Sequence, residues 1–269
     1  MKIATLGPEG TFSHEATLKY NSKSAVLFFD SIRGVFEAVA KNKADSGIVP
    51  IENSIAGTVG QTLDFLIEFG LKIKAEEVLP INHNLVGTGK LKDIKVLYLH
   101  QQTYEQCELF IKKNLPNAEI IQTSSNGKSA EIISKSKDKK EASIIPKIAV
   151  NIYNLKVIEK NIQDNRFNVT RFFVIAKSDN KKTGYDRTSI AVYPQIDRPG
   201  LLYDMLGEFA KRNINLTKIE SRPSKGKLGD YIFYIDFQGH KSERHIAEAL
   251  KELEKTSFVN VLGSYQRKY

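Results

Sequence analysis

The chain has 269 residues, 41% hydrophobic and 26% charged, which is enough for one large or two medium domains with real cores. Its net charge of +9 comes from scattered lysines, as in Lys135-Ser136-Lys137-Asp138-Lys139-Lys140, with neither zinc-finger spacing nor an RNA-binding signature, so no nucleic-acid partner is expected. There is no apolar run of membrane length, no signal pattern in Met1-Lys2-Ile3-Ala4-Thr5-Leu6, and only one cysteine, Cys107; these features point to a reducing cytoplasm, without membrane or internal disulfide.

In chain order, residues 2–6 read as a first strand, followed by Gly7-Pro8-Glu9-Gly10-Thr11-Phe12-Ser13 and a helix. Strand, glycine turn and helix aim free backbone N–H groups at an anion, although the glycine-lysine-hydroxyl ending of a phosphate loop is absent. Thr11 or Ser13 suits a helix cap, and the same hydroxyls can touch a ligand. His14 alone reads as structural. Ser31 opens a second helix to about Ala40, with Val35, Phe36 and Val39 inward.

The stretch from Ala44 to Val59 carries an apolar strand into a polar turn, then a helix bearing Leu63, Phe65 and Leu66. Glu52, Asn53 and Ser54 fall at the carboxyl end of that strand, where open α/β sheets bind ligands. A turn-and-cap role explains Asn53 and Ser54, and explains Glu52 less well.

Residues 71–86 read as an extended crossing into a second lobe. Strand Val96–Leu99, helix Thr103–Asn114, strand Glu119–Gln122, helix Gly127–Ser134 and strand Ala142–Ile145 follow, and this alternation predicts a mainly parallel sheet. The chain returns through residues 158–169 to a buried strand, Phe172–Ala176. Just before it stand Thr170, a neutral donor, and Arg171, a planar fork suited to a carboxylate. Strand neighbours point to opposite faces, so the pair either serves a site at a strand end or closes a sheet edge.

Lys177 to Gly184 is a polar linker. Beyond it, strand 189–193, helix 200–212, strands 214–221 and 231–237, helix 243–253 and strand 259–262 give the β-α-β-β-α-β order of a ferredoxin-like unit. Its sheet edges suit pairing with a second copy, so a dimer is expected.

Gly7-Pro8-Glu9-Gly10-Thr11-Phe12-Ser13, Val49-Pro50-Ile51-Glu52-Asn53-Ser54, Gln106-Cys107, Asn168-Val169-Thr170-Arg171-Phe172 and Glu220-Ser221-Arg222-Pro223, in this order, resemble prephenate dehydratase with a C-terminal ACT domain. The resemblance covers essentially the whole chain. It implies an α/β fold: a two-lobed, type II periplasmic-binding-protein-like catalytic domain at 1–180 and a ferredoxin-like ACT domain at 187–269. Lobe one would span about 1–78 plus 160–180, and lobe two about 79–159. It implies conversion of prephenate to phenylpyruvate, water and carbon dioxide without metal or cofactor. Thr170, Glu52, Asn53 and Gln106 would be catalytic; Arg171, Phe172, Gly10, Thr11, Ser13 and Ser54 would bind substrate.

In that scheme Thr170 gives a hydrogen bond to the departing oxygen. Arg171 and the amides near Gly10 and Thr11 hold carboxylate. Glu52, if burial raises its pKa, supplies a proton. L-Phenylalanine would inhibit at Asp197, Pro199, Gly200, Leu201, Leu202, Asn215, Leu216, Glu220, Ser221, Arg222 and Pro223, with homo-oligomers forming through the ACT domains. Pro199 suits the first helical turn there, and Gly200→Ala should crowd the loop. The chain departs from the family pattern at Leu99, where many members carry serine, and at Ser125-Asn126, with Asn126 a possible helix cap. Arogenate as substrate, or a non-catalytic amino-acid sensor, are the competing readings.

Overall fold

The computed structural model describes every residue except Asp197, Lys225, Lys227, Leu228 and Gly229. It opens with β1 (Lys2–Leu6), α1 (Phe12–Tyr20), β2 (Ala25–Phe29), α2 (Ile32–Ala40) and β3 (Ser46–Asn53). Polar residues set the helix starts: Thr11 Oγ1 accepts from His14 N at 3.3 Å and Ser31 Oγ accepts from Gly34 N at 3.1 Å. α2 buries Ile32, Val35, Phe36 and Val39, one apolar stripe at helical spacing.

Next come β4 (Gly57–Thr58), α3 (Gly60–Phe69), β5 (Lys72–Pro80), β6 (His83–Gly87), β7 (Val96–His100), α4 (Gln101–Gln106), α5 (Glu108–Asn114) and β8 (Glu119–Thr123). They lead to α6 (Asn126–Lys135), β9 (Glu141–Pro146), α7 (Lys147–Ile152), β10 (Val157–Glu159) and β11 (Val169–Ala176). One sheet runs β2-β1-β3-β11-β5, with β4 on β3; β1 is parallel to both β2 and β3. The other runs β10-β6-β9-β7-β8.

The second sheet differs from the mainly parallel expectation. β7 pairs in parallel with β8 and β9, but β6 is antiparallel to β9 and to β10. The reason is connectivity: β6 and β10 are the outgoing and returning crossings, not members of the β-α alternation. The helix expected over Thr103–Asn114 is also two. Cys107 leaves helical geometry at φ −129°, and the amides that begin α5, Leu109 N and Phe110 N, are taken by the Asp164 carboxylate at 3.0 and 3.3 Å. Leu99 is fully buried with Leu97, Ile111 and Ile144 in this lobe's core.

The chain divides into two compact units, Met1–Val59 with Glu77–Phe172, and Gly60–Glu76 with Phe173–Tyr269. The second unit contains β12 (Asp186–Pro194), α8 (Leu201–Ala210), β13 (Leu216–Pro223), β14 (Tyr231–Gln238), α9 (Arg244–Leu253) and β15 (Ser257–Gln266). The sheet order β13-β14-β12-β15, antiparallel throughout, is that of a ferredoxin-like fold. Ile190, Val192, Met205, Phe209, Phe237 and Ile246 form its core.

Residues 60–76 belong to this unit for visible reasons. Arg187 Nη1 meets Glu76 Oε2 at 2.7 Å, and Gly263 lies so close to Ile73 that an added Cβ would stand 2.3 Å from its carbonyl oxygen. No described helix is long and apolar enough to cross a membrane.

Candidate active site

Thr170 lies near the start of β11, whose first residue is Val169; the strand therefore begins earlier than the Phe172 expected from its apolar run. Asn53, at the carboxyl end of β3, donates from Nδ2 to Thr170 Oγ1 at 2.9 Å and to Asn168 Oδ1 at 2.7 Å. Its Oδ1 accepts from Ile55 N and Ala56 N at 3.0 and 2.8 Å, which closes the turn after β3. With one lone pair of Thr170 Oγ1 occupied by Asn53, the hydroxyl hydrogen is left for another acceptor.

That acceptor position is a cavity of about 370 Å³ lined by Thr170, Phe172, Asn53, Thr11, Phe12 and Ser13 from the first lobe and by His100, Gln102, Ser124, Ser125 and Asn126 from the second. A small recess of about 40 Å³ continues from it, bounded by Thr170, Asn53, Gln106, Thr103, Asn126 and His83. Thr170, Asn53 and Gln106, expected as catalytic, and Phe172, Thr11 and Ser13, expected at the substrate, are thus brought together.

Apart from the Asp30 carboxylate, the polar side chains on the cavity walls are hydroxyls, carboxamides and the His100 imidazole. The amino ends of α1 and α6 both border it, and a helix start favours negative charge through its exposed N–H groups. Ser125 is the N-cap of α6, accepting from Lys128 N at 3.0 Å, so the cap expected of Asn126 sits one residue earlier. Asn126 instead accepts from Thr103 Oγ1 at 2.7 Å and faces the cavity. Among the described residues, no lysine or arginine lines it.

Several expectations are corrected. Arg171 does not line the cavity. Alternation along β11 sends it to the face opposite Thr170 and Phe172, where it is 4% exposed and stands 3.7 Å from Glu52. Glu52 is not an enclosed carboxyl: its side chain is 35% exposed, pairs with Arg171 and is absent from the lining, so it is not placed as the proton source. Ser54 is exposed, and its hydroxyl accepts from Val169 N at 3.0 Å and donates to Phe167 O at 3.3 Å, tying the strand ends together. Gly10 N donates to His14 Nδ1 at 3.2 Å, so this amide is spent inside the turn. Gly10 is needed for conformation, with φ +83° and Ala149 Cβ 3.1 Å from where a side chain would start.

His83 was not foreseen. It is 1% exposed, and its Nε2 is 2.8 Å from Gln106 Oε1. Burial lowers its pKa to about 4. No spacing marks it in sequence, because Gln106 is reached only through the crossing of β6.

In the second unit, Asp197 lies outside the described residues. Pro199 precedes α8 rather than opening it; Gly200 is the N-cap, at φ +81°. Among the described residues other than its chain neighbours, only Arg198 Nη1, at 3.9 Å, comes near a side chain built at Gly200, so such a side chain is opposed by backbone conformation and not by crowding from them. Leu201 joins the core and Leu202 faces outward. Asn215 is exposed and Leu216 packs partly on the core. On β13, Ser221 and Pro223 are exposed, while Arg222 stands 3.7 Å from Glu220 and 3.5 Å from Asp64.

A family model described as prephenate dehydratase matches residues 3–180, and one described as ACT domain matches residues 195–255. The bifunctional chorismate mutase/prephenate dehydratase of Aquifex aeolicus is 44% identical over 270 residues, covering 99% of this chain and 74% of that protein. The prephenate dehydratase of Methanocaldococcus jannaschii is 42% identical over 96% of this chain and 95% of its own. Among solved structures, the prephenate dehydratase of Arthrobacter aurescens in complex with L-Phe superposes with a TM-score of 0.90 at 35% identity, over 99% of this chain and 90% of that one.

Proposed function

The chain belongs to the prephenate dehydratase family, and on that premise we propose that it converts prephenate to phenylpyruvate, water and carbon dioxide as a hydro-lyase. The observation that carries this reading is the Thr170 hydroxyl. Its oxygen accepts from Asn53, and Thr170 lines a cavity framed by two helix amino ends, which leaves the hydroxyl hydrogen for a ligand there.

Prephenate is a dianion with a ring hydroxyl. In the reaction the bond from ring carbon to carboxylate breaks and its electron pair enters the ring. The ring C–O bond breaks at the opposite carbon, and the leaving oxygen takes up one proton to depart as water. Aromatisation drives both cleavages. Thr170 donates a hydrogen bond to the leaving oxygen as charge builds on it. The α1 and α6 amino ends and the hydroxyls of Ser13 and Ser125 hold the carboxylates without cations. Neutral donors suit this step, because a fixed ammonium or guanidinium on the ring carboxylate would favour the charged group that has to leave as neutral carbon dioxide.

The division into a catalytic part at 1–180 and a regulatory part at 187–269 belongs to the same proposal, as do a cytoplasmic location and a homo-oligomer formed through the ACT domains. So does inhibition by L-phenylalanine at the Pro199–Leu202 and Glu220–Pro223 segments. Leu202, outward-facing beside the Gly200 turn, is the apolar contact these segments offer a ring. The test is direct: the purified chain is incubated with prephenate and, separately, with arogenate; phenylpyruvate from the first is read by its absorbance in alkali, and phenylalanine, the product that arogenate would give, by amino-acid analysis. Rapid appearance from prephenate, suppressed by added L-phenylalanine, is the expected result. No phenylpyruvate above the uncatalysed rate overturns the reading.

A further inference from the structure

His83 stands at the back of the recess that holds Thr170, on β6. Its Nε2 is 2.8 Å from Gln106 Oε1, whereas its Nδ1 is buried without a hydrogen-bond partner among the described residues. The backbone fixes the ring from behind, since His83 N donates to Gln163 Oε1 at 3.0 Å, and Gln163 Nε2 in turn donates to Asn82 Oδ1 at 2.7 Å. Phe12, which also lines the main cavity, meets the imidazole edge-on with ring centroids 5.4 Å apart. The groups bonded to or stacked on His83 (Phe12, Gln106 and Gln163) carry no charge, and burial lowers its pKa to about 4, so at neutral pH it is a neutral imidazole with a single N–H.

Which nitrogen carries that hydrogen decides what Gln106 offers the cavity. If it were Nδ1–H, a donor would be buried with no acceptor, and the Gln106 amide would have to turn its N–H toward His83. With Nε2–H, the only orphan is a lone pair, and unpaired buried N–H groups are the rarer and costlier defect. Nε2–H donates to Gln106 Oε1, and the carboxamide is left with its –NH₂ group for the recess shared with Thr170 and Asn53. A carboxamide alone has two nearly isosteric orientations of opposite hydrogen-bonding sense; a neighbouring donor selects one.

We propose that His83 is a positioning residue for the dehydration: its Nε2–H holds the Gln106 carboxamide in the orientation that presents an N–H donor to substrate oxygen beside Thr170. The proposal rests on the prephenate reading. It explains why a histidine, rather than an apolar residue, occupies so enclosed a place in the lobe crossing.

Two measurements test it. The first is kinetic. His83→Phe keeps the ring and its edge contact with Phe12 but removes the donor, and should lower kcat roughly tenfold to a hundredfold with a smaller change in KM, less than the loss of a direct transition-state donor. Gln106→Ala should lose at least as much. If His83 acts through Gln106, the double variant is no worse than Gln106→Ala alone, and His83→Gln, which regains an N–H donor, recovers part of the rate. Multiplying losses in the double variant, or full activity in His83→Phe, overturns the proposal.

The second measurement needs no turnover. Histidine ¹H–¹⁵N spectra of the free wild-type chain should show His83 as the Nε2–H tautomer from pH 7 to pH 5.5, and Gln106→Ala should shift that signal. An Nδ1–H tautomer overturns the proposal whatever the kinetics. If wild type leaves prephenate unchanged, the functional reading has failed while the tautomer still judges the geometry. If His83→Phe does not fold, His83→Gln and the spectrum decide.

Discussion

Asn53 and Thr170, 117 positions apart in sequence, are joined by a 2.9 Å hydrogen bond from Nδ2 to Oγ1, which occupies a lone pair of the threonine oxygen and leaves its proton to be donated elsewhere. Thr170→Ala removes the donor and should cost roughly a hundred- to a thousandfold in kcat, while Thr170→Ser keeps a substantial part. Asn53→Asp is the sharper variant. Its carboxylate still accepts from Ile55 N and Ala56 N, so the turn persists, but it no longer donates to Thr170 and draws the hydroxyl proton toward itself. A steady-state comparison should place Asn53→Asp near Thr170→Ala; turnover close to wild type would show that the bond does not orient the hydroxyl.

Arg171 and Glu52 form a pair 3.7 Å apart on the face of β11 away from the cavity. Arg171→Lys should therefore leave KM for prephenate within about twofold of wild type, because no substrate carboxylate is being released. The melting temperature should fall instead, because a nearly buried fork with fixed partners is replaced by a flexible point charge. A large rise in KM without loss of Tm would return Arg171 to the substrate.

These two pairs show how far the sequence could be read. The site motifs around Asn53 and Thr170 were legible as strand-end polar residues, and the βαββαβ order of the second unit followed from periodicity alone. Arg171 was misplaced because the run of aromatic and β-branched residues begins at Phe172, whereas the strand begins at Val169; that places Thr170 and Arg171 inside the strand, on opposite faces. The break at Cys107 depends on the Asp164 carboxylate, which arrives from 55 residues beyond Leu109. His83 depends on Gln106 and Gln163 in the same way. Such long-range satisfaction of polar groups leaves no periodic trace.

His83 also makes stability depend on pH. Its folded pKa of about 4 lies below the ordinary 6.5, so the unfolded chain binds the proton more readily. Its contribution is fully present above pH 6.5, declines as the pH falls, and is lost by about pH 4, a total on the order of 3 kcal/mol. Burial lowers His14 as well and adds to the trend. Urea midpoints at pH 7, 5.5 and 4.5 should fall in that order, with a shallower fall in His83→Phe. An equal slope in the variant would assign the dependence to other groups.

Gly200 starts α8 at φ +81°, with no described residue beyond its chain neighbours closer than 3.9 Å to where its side chain would begin. Gly200→Ala should therefore fold with a loss of about 1 kcal/mol from left-handed strain. The loop is expected to relax toward negative φ, which shifts the amino end of α8 and weakens inhibition by L-phenylalanine. Uninhibited turnover should stay near wild type. An unchanged inhibition curve would place the effector away from this turn.

Glu76 and Arg187 test why residues 60–76 are held in the second unit. Their side chains are 0% and 1% exposed and meet at 2.7 Å; Glu76 also accepts from Lys268 N at 2.8 Å, and Arg187 lies over the Tyr269 ring at 4.3 Å. Removing one member of a buried pair leaves the other charge without its counter-ion in a medium that solvates it poorly. Glu76→Gln preserves shape and the bond from Lys268 while deleting the charge, and should cost roughly 3–5 kcal/mol. Replacing both, as Glu76→Leu with Arg187→Met, removes both desolvation penalties and should recover much of that loss. A double-mutant cycle in urea measures the difference, and a Glu76→Gln cost below about 1 kcal/mol would mean that the pair is solvated and not a tie. The same geometry bears on deletion of the regulatory part: a chain ending at Lys182 loses Arg187 and Lys268 and leaves Glu76 as a carboxylate on uncovered surface. Such a truncation should be less stable than the full chain, and addition of Glu76→Leu should make it less soluble rather than more stable, since the leucine would have no partner surface to bury against.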